Sequence, residues 1–125
     1  MGVQEEIGKD LVESVLNQVL RIYSGPLNDE NHPLRQNETL GPLLRKLDGA
    51  DTQVLLELIE HSSVMVMHAL LNHLTNFCSP DVGYSFEIMV VQEGGNATSL
   101  LDYFDDPGME LVAEGGWVDQ FCKPT

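Results

Sequence analysis

The hydrophobic period of this chain changes once, and that change constrains the fold more than any motif does. Up to about residue 77 the apolar residues recur at helical spacing, and from Tyr84 to Gln92 they alternate. Helices first and strands afterwards predict an α+β fold rather than an alternating α/β one.

In the first part, Val3 to Tyr23 reads as an amphipathic helix. Leu11, Val12, Val15, Leu16, Val19, Leu20, Ile22 and Tyr23 share one arc, with Glu6, Asp10, Glu13, Asn17 and Arg21 opposite. Gly8 weakens its first turns by about 1 kcal/mol relative to alanine. Ser24-Gly25-Pro26 ends it. A polar loop follows at about 24–38, holding Pro26, Pro33 and three asparagines. Leu40 to Leu47 reads as a short helix, with Pro42 in its first turn and Gly49 at its end. Asp51 or Thr52 then caps a long helix that reaches about Phe77. Its apolar arc is Leu55, Leu56, Ile59, Val66, Met67, Leu70, Leu74 and Phe77. Its polar stripe is Glu57, His61, His68, Asn72 and Thr75.

Ser79-Pro80-Asp81 stops that helix, and Tyr84 to Gln92 reads as a strand with Tyr84, Phe86, Ile88 and Val90 on one face. Gly94-Gly95-Asn96 makes a turn, so that 97–104 returns as a second strand, a short helix being the alternative. Asp105-Asp106-Pro107-Gly108 is a turn or the start of a helix through Glu114. Gly115-Gly116 breaks the chain again, and Trp117 to Phe121 forms a last short helix with Trp117, Val118 and Phe121 inward. The expected architecture is two main amphipathic helices plus a short one, then a small antiparallel hairpin or sheet, then short C-terminal helices. No repeat, linker or low-complexity tract divides the chain, which predicts one domain over 1–125.

Charge narrows the partners. Twenty Asp and Glu face six Lys and Arg, a formal net charge of −14. Nucleic acid and anionic membrane both need a basic footprint, so neither is an expected partner. Uninterrupted apolar runs stop well short of 18 residues, which reads as no bilayer span. The N-terminal region has Glu5 and Glu6 and no apolar signal core. Cys78 and Cys122 are too few for a disulfide framework, so the expected setting is reducing and cytoplasmic.

Metal chemistry has one weak candidate pair. Glu57 and His61 are four apart on the long helix and can share an ion. His61 and His68 are seven apart, about 10 Å along the axis, too far for one ion. A site would need distant ligands such as His32 or Asp102, giving a small metal-dependent enzyme. No nucleophile motif or phosphate-binding glycine loop occurs. The acidic knot of Asp102, Asp105 and Asp106 lacks EF-hand spacing. No catalytic residue and no cofactor is assigned.

The distribution of charge says more than its total. Residues 47–122 contain no Lys or Arg but thirteen Asp and Glu. Such a field attracts a cationic partner. The expectation is a noncatalytic binding module, of the inhibitor or immunity type, that meets a basic protein through Asp102, Asp105, Asp106, Glu110, Glu114 and Asp119. Another class is a homo-oligomer, a homodimer in the simplest case, paired through Met89 and Val91 on the outer face of the strand.

Glu110-Leu111, Glu114-Gly115-Gly116-Trp117-Val118, Phe121 and Lys123 resemble the endings of some small acidic bacterial proteins, with Cys122 where those carry a serine. The resemblance is confined to this stretch. It implies that Trp117 and its glycines close the domain, and no activity.

Overall fold

The computed structural model describes residues 2–24, 29, 31–32, 34–76 and 83–123. The fold is α+β. Helix α1 (Val3–Leu11) runs through a π-helical turn (Val12–Leu16) into α2 (Asn17–Ser24). Then come α3 (Leu40–Lys46), α4 (Gly49–Asn76), the strands β1 (Met89–Val91) and β2 (Ala97–Ser99), and the short helices α5 (Leu100–Tyr103), α6 (Pro107–Val112) and α7 (Trp117–Phe121). The strands pair antiparallel, with Val90 opposite Thr98.

The π turn corrects the expected faces of the first helix. Each π turn takes one residue more than an α turn. Everything beyond it is therefore rotated by about one residue position, or about 100°. Asn17, expected on the polar side, is only 1% exposed. Val15 and Val19, expected inside, lie 46% and 37% exposed. Val12, Leu16 and Leu20 keep the inward stripe and form the core with Leu71, Leu100, Phe104, Leu111 and Trp117.

Buried Asn17 fastens the C-terminal segment to this helix. Its Nδ2 donates to the Phe121 carbonyl at 2.9 Å, and its Oδ1 accepts from the Lys123 amide at 3.0 Å. Leucine fills a similar volume but leaves both backbone groups without a partner. We expect Asn17→Leu to lower stability by about 2–6 kcal/mol, at about 1–3 for each of the two orphaned groups. Urea unfolding followed by circular dichroism measures this, and an unchanged midpoint contradicts it.

The long helix starts earlier than expected. Asp48, not Asp51 or Thr52, is its cap, accepting from the Asp51 amide at 2.8 Å. Gly49 opens α4 instead of ending α3. Among the described residues of α4, Leu71 is the one buried position. Val66 and Leu70, expected in the core, are 67% and 55% exposed. The bilayer expectation is also corrected: Gly49–Thr75 is long and apolar enough to cross a membrane by length and composition. Looking for uninterrupted runs missed it, because serine and histidine break a run without adding the charge that forbids a span.

The predicted strand 84–92 shortens to Met89–Val91, while Tyr84 and Phe86 pack edge-to-face outside the sheet. Segment 97–104 is strand and then helix, so each alternative holds for part of it. Asp106 caps α6, accepting from the Met109 amide at 3.2 Å, with Pro107 at the first helical position. Asn31 and residues 34–38 are turns and a bend of the expected polar loop; the rest of that loop, with Phe77, Cys78 and the Ser79-Pro80-Asp81 stop, falls partly or wholly outside the described residues.

Candidate functional site

The chain's last helix returns to its first. Trp117 is 4% exposed and lies over Gly8, where any Cβ would collide with the indole. Phe104 meets Trp117 edge-to-face, with ring centroids 5.0 Å apart. Gly116 is equally confined, since a Cβ there would meet the Glu110 and Ala113 carbonyls. Trp117 and the glycine before it thus lock the C-terminal helices onto α1.

This closure brings one end of α1 beside α5, α6 and α7 and leaves an open cleft of about 370 Å³ between them. Glu5 comes from α1, Asp102 from α5, Asp105 from the connecting turn and Glu110 from α6. Tyr103, Phe104, Trp117 and Phe121 supply its aromatic wall. Two amides also line it. Gln4 donates its Nε2 to the Tyr103 carbonyl at 2.7 Å, and Gln120 donates its Nε2 to the Gly115 carbonyl at 2.7 Å. With a donor of each amide committed to the backbone, the cleft is rich in acceptors. That suits a cation with several N–H groups.

Three of the six carboxylates expected to meet a partner therefore converge: Asp102, Asp105 and Glu110. The other three do not line the cleft. Asp106 is the α6 cap, and Asp119 accepts from the Gly115 amide at 2.7 Å. Glu114 is exposed at the turn that follows α6. Glu5 was missed, and no local signal could have found it, because nearly a hundred residues separate it from Asp102.

Glu57 and His61 are both exposed on α4. Among the described residues, no group of three or more His, Cys, Asp or Glu is arranged to hold a metal ion. His32, one of the distant ligands such a site would need, accepts at its Nδ1 from the Leu34 amide at 3.1 Å. His68, expected on a solvated stripe, is half-buried. Its Nδ1 lies 3.0 Å from the Gly108 carbonyl and its Nε2 lies 3.1 Å from the Asn72 amide nitrogen. Donation from Nδ1 to that carbonyl leaves Nε2 to accept from Asn72. The pair ties α4 to α6, which carries Glu110.

Cys122 is a free, half-buried thiol whose Sγ donates to Glu60 Oε1 at 3.6 Å. Burial, then the Glu60 charge and that hydrogen bond, push the thiol from 9.0 up to about 11. A thiol so raised is a poor nucleophile near neutrality. In a Cys78→Ser background we expect Cys122 to react with a disulfide reagent at pH 8 about 100-fold more slowly than in the unfolded chain. The folded state holds this proton more tightly than the unfolded one. The resulting stabilisation is present below pH 9 and is lost as pH rises through about 11. Equal rates in folded and unfolded protein contradict this.

Compared with known proteins, the chain matches no protein-family model, no curated protein and no solved structure.

Proposed function

We propose that this protein is a noncatalytic binding module of the inhibitor or immunity type, acting in the cytoplasm, and that the acidic cleft receives a basic segment of its partner. One observation carries the reading: Glu5, Asp102, Asp105 and Glu110, from separate parts of the chain, line one cleft with aromatic and amide side chains. The absence of Lys and Arg from 47–122 leaves that half of the chain without a cation of its own. Arginine fits better than lysine. Its planar guanidinium offers five donors to an acceptor-rich wall and stacks on aromatic faces.

Trp117 is the chain's single tryptophan and lines this cleft, so its emission reports on the site. Titration with an arginine-rich peptide is expected to change that emission saturably. Affinity should fall about 10-fold between low and moderately high salt, as the charges on the open cleft are screened. No saturable change at low salt, or binding indifferent to salt, overturns the reading.

A further inference from the structure

We infer that Trp117 selects what the acidic cleft accepts: an internal arginine of a non-helical segment. The carboxylates hold its guanidinium, and the indole N–H donates to a main-chain carbonyl beside it. This rests on the cleft as the binding site and names the feature that the cleft recognises.

Trp117 is almost wholly buried and lines the cleft. Its contact with Phe104 is ring to ring, and its N–H donates to no group among the described residues. Among those residues no sealed-off side-chain nitrogen or oxygen lacks a partner, so this nitrogen keeps an opening to solvent. Gly8 fixes where it lies. A Cβ at Gly8 would fall on Cδ1, Nε1 and Cε2, so the pyrrole edge of the ring rests on that glycine. Gln4 and Glu5, one turn before Gly8 on the same face of α1, both line the cleft. The unpaired N–H therefore stands at the α1 wall of the cleft.

A guanidinium offers donors and no acceptor. It can pair with Glu5, Asp102, Asp105 and Glu110, but it displaces water from the indole N–H and gives nothing back. A donor left dry and unpaired weakens binding by about 10-fold. The missing group is an acceptor carried beside the cation. A carboxylate is the wrong one, because the four carboxylates of the cleft repel it. That disfavours an arginine at a chain end. A main-chain carbonyl is neutral and meets no such repulsion. In a helix this carbonyl is already taken by the amide four residues on, so the segment is extended or looped. Size agrees, since about 370 Å³ is at the small end of ligand cavities and too little for a helix about 10 Å across.

Nuclear magnetic resonance of the isotope-labelled full chain tests this, because a single tryptophan gives a single indole signal. The probes, titrated at low salt, are acetyl-arginine-N-methylamide, butylguanidinium, which lacks any carbonyl, and acetyl-arginine, which adds a carboxylate. The amide should bind about 10-fold more tightly than either of the others. It should also slow exchange of the indole proton with water, and butylguanidinium should not. Replacing the indole of Trp117 by benzothiophene, which puts sulfur where the N–H stood, should erase the preference and leave butylguanidinium affinity within about 2-fold. Equal affinity for the amide and butylguanidinium, or a preference that survives the sulfur ring, overturns the proposal. If circular dichroism shows that the sulfur ring unfolds the chain, the wild-type ratio and the indole exchange decide alone. Butylguanidinium binding without the preference defeats this proposal and leaves the cleft reading standing. Binding of no probe also defeats it, and failure of the arginine-rich peptide as well defeats both.

Discussion

Replacing Gly8 with alanine is expected to destabilise this protein, although alanine favours a helix over glycine by about 1 kcal/mol. The gain is outweighed because the added Cβ falls on the Trp117 indole, a buried ring fixed by Phe104. Overpacking of this kind costs about 1–3 kcal/mol. The net loss should lower the melting temperature by several degrees. Trp117→Ala is expected to cost more, about 3–5 kcal/mol. That is a large share of the about 5–15 kcal/mol available to a typical domain. Trp117→Leu keeps an apolar side chain but removes the ring from Gly8. In that background Gly8→Ala should become neutral or stabilising, and this change of sign is the mark of direct contact. A Gly8→Ala variant more stable than wild type would show that the ring does not rest there.

These two residues also show what the sequence could and could not reveal. The order of elements was legible because it is written in local spacing. The helical period ends before Pro80, alternation begins near Tyr84, and Gly94-Gly95-Asn96 marks the hairpin turn. Gly8, by contrast, reads locally as a weak spot in a helix, and only Trp117 explains it. Asn17 reads as solvated until the π turn rotates it inward. No propensity argument foresees one residue of register gained inside a continuous helix. The outward placement of Val66 and Leu70 was hidden for another reason. Periodicity identifies an apolar face but does not say whether the same chain covers it.

The cleft was half legible. Asp102, Asp105 and Asp106 stand together in sequence, but Asp106 is turned to cap a helix, and Glu5 arrives from the other end of the chain. The central claim concerns the place of this charge and not its amount. Neutralising Asp102→Asn, Asp105→Asn and Glu110→Gln together removes three carboxylates from the cleft. Each substitution is nearly isosteric and at an exposed residue, so the fold should be unaffected. Loss of three close charges is expected to weaken binding of an arginine-rich peptide by about 30–100-fold at low salt.

The comparison that decides the matter is a second triple variant, Asp51→Asn, Glu57→Gln and Glu93→Gln, with the same net charge and none of its changes in the cleft. Peptide affinity, read from Trp117 emission at one fixed ionic strength, should fall about 30–100-fold for the cleft variant and no more than about 3-fold for the control. Equal losses in the two would mean that the peptide senses only the total charge of the chain, and would contradict the cleft as the binding site.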